Sequence, residues 1–235
     1  MKYIIMCGGK YPKFEKPKQL LKVNGEVLVE RTIRLLKANG ITDIAICTNC
    51  HDFDYLNLPV LMQSNEYVNG NENENKKSEC CWLNAYYPME YPCCYLHGDV
   101  YFSDEAIKTI IDTPVKDTMF FCTYDWTDGE KDRRNYKGRE PFGYKVVNQK
   151  LFRSAINDLF KMIDEGKFKN GLPPICWQLY RYINGLEIDY NTKKWTDINN
   201  IFKTKGDYVV INDYTTDVDQ PEDVKVLEEW LKKWY

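Results

Sequence analysis

The chain has 235 residues, 43% of them hydrophobic and 29% charged, and a formal net charge of −3 at pH 7. That length can bury one sizeable core, and the slightly acidic balance argues against a nucleic-acid partner, which calls for a basic surplus. No apolar run approaches the ~20 residues of a membrane span, and the N-terminus lacks a signal peptide's charged head and cleavage site. The expectation is a cytoplasmic protein with neither membrane nor nucleic acid as partner.

In chain order, strand patterns are expected at Tyr3–Met6, Asp43–Thr48, Pro59–Gln63, Cys93–His97 and Thr118–Thr123. Between them, helical patterns are expected at Val27–Asn39, with Gly40 as its C-terminal cap, and at Glu79–Tyr87 and Asp104–Asp112. In the first of these, Val29, Ile33 and Leu36, with Leu28 and Leu35, recur at helical spacing. Asn69–Lys77 is low in complexity and reads as a loop. Beyond Thr123, Tyr124–Pro141 is polar and turn-rich. A strand is then expected at Phe142–Val147, and helices at Asn148–Asp164 and Pro173–Asn184. The apolar run Tyr208–Ile211 and an amphipathic helix over Glu222–Trp234, expected to pack back on the sheet, close the chain.

Alternating strands and helices joined by short turns predict an α/β fold with a mainly parallel sheet flanked by helices. One domain is expected over residues 1–235, its regularity weakening after residue 123.

Nine cysteines are present. Cys47-Thr48-Asn49-Cys50-His51 matches the haem-attachment pattern C-x-x-C-H, yet it closes a strand-like run, and no second pair has zinc-like spacing. Buried thiols in a reducing compartment account for them.

Three segments carry chemistry. The first strand empties into "CGGKYPKFEKPKQLLKVNG". Paired glycines let bare amides approach an anion, and Lys10, Lys13, Lys16 and Lys18 add charge, although a basic surface turn would look the same. "LHGDV" ends an apolar strand in Gly98-Asp99, which puts a carboxylate at the edge where α/β sheets bind ligands. "TDVDQPED" stands just ahead of the last helix. Helix-start chemistry explains Pro221, Glu222 and Asp223, but not Asp217 and Asp219. Two distant acids meeting at one edge could hold magnesium, which typically takes one or two protein carboxylates plus substrate phosphates.

In that order the three segments resemble the nucleotidyltransferases of the nucleotide-diphospho-sugar transferase fold, a Rossmann-like α/β architecture. The likeness extends to "CGGKYPKFEKPKQLLKVNGEVLVERTI", "LHGDVYF", "FGYKVVNQKLF" and "DVDQPEDV". It implies transfer of a nucleotidyl group, with CMP favoured, from a nucleoside triphosphate to a sugar phosphate or to an alcohol phosphate such as phosphocholine, with release of pyrophosphate.

By the same resemblance the nucleotide-binding half spans about 1–123 and the acceptor-binding half about 124–235, and Lys18, Asp99 and Asp219 are catalytic, the two acids holding Mg²⁺. Cys7, Gly8, Gly9, Lys10, Lys18, Ser78 and Gly98 contact the nucleotide. Asp125, Trp126, Glu140 and Lys145 are expected around the acceptor, in a region where aromatic rings and charges mix and could hold a quaternary ammonium. Where the family carries a pyrophosphate-gripping arginine, this loop has Lys10 and Lys13. Two other readings stay open. Asp217-Val218-Asp219 is formally the D-x-D of a glycosyltransferase, and the short loop would suit a catalytically silent nucleotide-binding module.

Overall fold

The first strand, β1 (Lys2–Met6), shows in miniature how the sequence divides the molecule. Its side chains alternate, Tyr3 and Ile5 joining one buried cluster and Ile4 and Met6 another. A pleated strand with both faces covered has this form. In a computed structural model that describes residues 1–9, 14–64, 81–123, 140–168, 175–188, 190 and 206–232, six further strands share the central sheet with β1.

A hairpin, β2 (Lys22–Val23) and β3 (Glu26–Val27), leads into a helix over Leu28–Ala38 and then β4 (Ile44–Thr48) and β5 (Val60–Met62). A helix over Cys81–Ala85, β6 (Cys93–His97), β7 (Val100–Tyr101), a helix over Asp104–Asp112 and β8 (Thr118–Thr123) follow. The rest comprises β9 (Pro141–Val146), helices over Gln149–Asp164 and Ile175–Ile183, β10 (Tyr208–Ile211), β11 (Thr216–Asp217) and a helix over Asp223–Leu231.

The sheet order is β10-β8-β9-β6-β1-β4-β5, parallel throughout except for β9, which runs antiparallel to both neighbours. It is thus a mixed, mainly parallel sheet flanked by helices, as the alternation predicts. Residues from Leu28–Ala38 and Asp104–Asp112 cover the face of Tyr3 and Ile5. Residues from Cys81–Ala85, Gln149–Asp164 and Ile175–Ile183 cover the opposite face, where Tyr86, Tyr95, Tyr144 and Phe152 pack ring against ring. Among the described residues no helix is long and apolar enough to cross a membrane.

Local signals explain the boundaries. Gly40, with φ +79°, ends the first helix: its N–H donates to Lys37 O and that of Ile41 to Leu36 O, a Schellman closure. Ser103 Oγ accepts from Ala106 N (2.8 Å) and Asn148 Oδ1 from Leu151 N (3.1 Å), capping two helix starts.

The last helix departs from expectation. It packs on the β2–β3 hairpin through Val23, Leu28, Tyr101, Val218, Leu227 and Leu231, a third cluster beside the two sheet faces. Buried Arg31 ties this corner to the rest: its Nε donates to Phe102 O (2.8 Å), it pairs with Glu26, and it lies over the Tyr101 ring.

Candidate active site

β1 and β6 are parallel neighbours with Met6 opposite His97, so the segments after them leave the sheet side by side. Gly98 N–H donates to Met6 O (3.0 Å), and a Cβ on Gly98 would lie 2.7 Å from that oxygen and 2.8 Å from Cys7 Sγ. Only glycine lets β6 turn across the end of β1, and the turn carries Asp99 into the interior. Beside it, Gly9 has φ +145° and donates its N–H to Asn49 Oδ1 (3.1 Å), while a Cβ on Gly8 would overlap the Gln63 carboxamide.

The chain then returns through Pro17 into a short 3-10 turn, Lys18–Leu20, closed by Leu20 N–H to Pro17 O (2.9 Å). Lys18 begins this turn, and its ammonium lies 2.6 Å from Asp99 Oδ2 and 3.1 Å from Asp219 Oδ1. The lysine side chain is 13% exposed, that of Asp99 4% and that of Asp219 46%.

Asp219 arrives by a route that hydrophobic periodicity does not reveal. β11 pairs antiparallel with β7, setting Asp217 opposite Val100, and Val218 N–H donates to Asp99 O (3.0 Å). Beyond the pairing, one carboxylate oxygen of Asp223 accepts from the N–H groups of Asp219 (2.8 Å) and Gln220 (2.9 Å), fixing the bend that presents Asp219.

Glu140 stands just before β9, its carbonyl accepting from Thr123 N–H (2.9 Å). Because β9 is antiparallel to β6, its start lies at the same edge as the end of β6. Ligand atoms of Glu140, Asp217 and Asp219 all lie within 4.8 Å of one another.

The crowding of acids has electrostatic consequences. Asp217 nearby, and then burial, push the Asp219 carboxyl up to about 7 against the relief that Lys18 gives. Burial pulls Lys18 down, but Asp99 and Asp219 outweigh it and hold the ammonium above its ordinary range. Burial lowers His97 to about 4, leaving the imidazole neutral.

The structure thus brings together Cys7, Gly8, Gly9, Lys18, Gly98, Asp99, Glu140 and Asp219. Lys10, Ser78, Asp125 and Trp126 lie outside the described residues. Lys145 is not at this edge. It stands opposite Cys94 in the first half of β6, and its ammonium donates to the carbonyls of Ile110 (3.1 Å), Ile111 (2.7 Å) and Thr113 (2.8 Å) at the end of the Asp104–Asp112 helix. The expectation of an acceptor-binding Lys145 is therefore corrected to a structural role.

Two participants escape sequence reasoning. Asp223 reads as helix-start chemistry although it positions Asp219. Gln63, 6% exposed, follows β5 with Oε1 accepting from the Cys47 thiol, while its buried Nε2 has no hydrogen-bond partner among the described residues, and its carboxamide lies against Gly8. Nothing local in the sequence marks either. Among the described residues Cys47, Cys50, Cys93, Cys94 and Cys176 are free thiols, and burial pushes the Cys47 thiol up to about 12.

Ligands of open α/β sheets bind outside the carboxyl ends of the strands. Here that edge carries a glycine pair, a largely buried lysine and four carboxylates, a setting for an anion and a hard cation together. Residues 3–75 match the family model of the MobA-like NTP transferase domain. Among solved structures, 4-diphosphocytidyl-2C-methyl-D-erythritol synthase from Anaerococcus prevotii is similar at 14% identity over 98% of this chain and 95% of that one, with a TM-score of 0.53.

CTP:phosphocholine cytidylyltransferase from Streptococcus pneumoniae matches at 19% identity over 98% of each chain, TM-score 0.46. A glucose-1-phosphate thymidylyltransferase candidate from Bacillus anthracis matches at 18% over 97% and 94%, TM-score 0.45. A comparison with curated proteins finds no match. The chain shares the fold of the Anaerococcus prevotii synthase, and the family match covers the first third of its length.

Proposed function

We propose that the protein is a nucleotidyltransferase that moves a nucleoside monophosphate, CMP by preference, from the triphosphate onto a small phosphorylated acceptor. Sugar phosphates and alcohol phosphates such as phosphocholine are the acceptor classes. The observation that carries this reading is Lys18, held between Asp99 and Asp219 beside the glycine pair.

The donor set fits a divalent cation. Asp99 and Asp219, which share the Lys18 ammonium, would hold Mg²⁺, with Asp217 and Glu140 clustered on Asp219, and oxygen-only carboxylate donors suit that hard ion. When bound, magnesium would neutralise phosphate charge and orient the triphosphate.

The chain's own residues supply the rest. An acceptor phosphate oxygen attacks the α-phosphorus, forming one P–O bond as the α–β bridge bond breaks and pyrophosphate leaves. Lys18 meets the charge that grows on the α-phosphate, as a point charge. The glycine-pair backbone lets the triphosphate lie close. No side chain has to take a proton, since a phosphate monoester is already an oxyanion near neutral pH. Buried, neutral His97 accordingly has no acid–base part.

Pyrophosphate release measured with each of four nucleoside triphosphates, against sugar and alcohol phosphates with Mg²⁺, tests the proposal. CTP-dependent release with one acceptor is the expected result. Hydrolysis or transfer from a nucleotide sugar without pyrophosphate would replace it with the glycosyltransferase reading, and nucleotide binding without turnover with the silent module.

A further inference from the structure

Lys18 is in an unusual position for a residue meant to touch phosphate: the two carboxylates that would hold the cation already hold its ammonium, at 2.6 and 3.1 Å. The arrangement is built in. Asp99 is fixed by the turn that Gly98 permits, Asp219 by the two N–H groups gathered on Asp223, and Lys18 by the turn after Pro17. Asp217 and Glu140 crowd the same corner, so the site carries negative charge beyond the two acids that Lys18 bridges.

We propose that Lys18 is the resident cation of this site, seated between Asp99 and Asp219 until a divalent cation displaces it, so that metal entry is what frees the ammonium for an incoming anion. The last clause rests on the nucleotidyltransferase reading; the displacement itself does not.

The physical reason is simple. A magnesium ion sits about 2.0–2.1 Å from its oxygen ligands, so it would share the same two carboxylates with an ammonium only a few ångströms off. Like charges so close in a largely buried corner repel strongly. Of the two cations only the lysine is tethered to a flexible four-carbon stem, and its ammonium can swing to another acceptor without leaving the protein. The seat also has a use: without it, Asp99 and Asp219 would face each other with one positive partner fewer, at a cost in stability.

Two measurements, neither using nucleotide, decide the matter. First, Mn²⁺ binding to the free protein is followed by electron paramagnetic resonance for the parent and for Lys18→Met, which keeps length and removes charge. Removing the competing cation should tighten Mn²⁺ by about tenfold or more. Equal or weaker binding in the variant would overturn the proposal.

Second, the unmodified parent is treated with an amine-acylating reagent and labelling is read peptide by peptide. This needs no variant to fold. Lys18 should react slowly alone and several times faster in Mg²⁺, while Lys145, held by carbonyls away from the site, serves as the unchanged reference. Lys18 labelling indifferent to Mg²⁺ would equally overturn the displacement. A protein that passes both yet releases no pyrophosphate with any triphosphate loses the proposed activity but keeps this device.

Discussion

Lys145, buried, and Lys18, largely buried, stand at opposite edges of the central sheet and are held in opposite ways. Lys145 meets three backbone carbonyls at the end of a helix, neutral dipoles that stay where they are whatever arrives. Lys18 meets two carboxylates with two more beside them, charged groups that another cation could claim. Satisfaction by backbone dipoles makes a structural lysine. Satisfaction by an excess of opposite charge makes one whose partners can be taken away.

Breaking each lysine in turn should give the largest contrast. Lys18→Ala should lower turnover by about two orders of magnitude or more, the scale of losing a preorganised positive donor. Lys145→Met should leave turnover per folded molecule within a few-fold of the parent. It should instead cost about 1–3 kcal/mol of stability, because buried carbonyls lose their donor. Steady-state kinetics and urea unfolding on both variants would reverse the comparison if Lys145→Met proved the less active protein.

Smaller but sharper is the effect of neutralising the partners. Asp99→Asn and Asp219→Asn keep shape and remove one charge each. The Mg²⁺ concentration for half-maximal turnover should rise by about tenfold or more in both. Unchanged metal dependence in both would remove these acids from the metal site.

Asp223 holds the backbone at Asp219, and its effect should be indirect. Asp223→Ala strips the acceptor from two N–H groups that bend the chain at Asp219. The Mg²⁺ requirement should rise by several-fold with little change in turnover at saturating metal, and Asp223→Asn should restore part of the loss. A stability loss alone, with unaltered metal dependence, would reduce Asp223 to a helix-start residue.

How much of this was legible in the sequence follows from the range of each signal. Period-two runs such as Tyr3–Met6 and helical spacing such as Val29, Ile33 and Leu36 are local, and they located the sheet and its helices to within a few residues. So was Gly40, whose backbone closes a helix. Strands of two residues are too short for any period, which is why β7 and β11, and with them the route that brings Asp217 and Asp219 to Asp99, could not be read. Strand direction was equally hidden. Glu140 and Lys145 look alike as acceptor candidates, but β9 runs away from the site. Five residues at about 3.3 Å each place Lys145 about 17 Å along it from Glu140. Glu140 and Asp219 thus stand at one edge of the sheet, while Lys145, close to Glu140 in sequence, ends toward the other.

The smallest expected effect is the one with a sign contrary to intuition: Asp217→Asn should stabilise the metal-free protein. Asp217 is the largest reason that Asp219 is pushed up to about 7 from an ordinary carboxyl value of 3.8. A carboxyl whose folded value is raised binds its proton more tightly folded than unfolded, so ionising it costs stability. That cost is absent below about pH 4, grows between about 4 and 7, and is fully present above 7. Replacing Asp217 removes the main repulsion and returns Asp219 toward its unfolded value. At pH 8 without metal the variant should melt about 2–4 °C above the parent, the shift that roughly 1 kcal/mol makes in a domain of this size. Toward pH 4 the gain should vanish, because Asp219 of the parent is then protonated and no repulsion is left for the substitution to relieve. Saturating Mg²⁺ should reverse the order, since the parent has one more carboxylate to offer and the ion stabilises whatever binds it more tightly. A variant that melts below the parent at pH 8 without metal would show that Asp217 is held by attraction, and that the corner around Lys18 is balanced rather than short of positive charge.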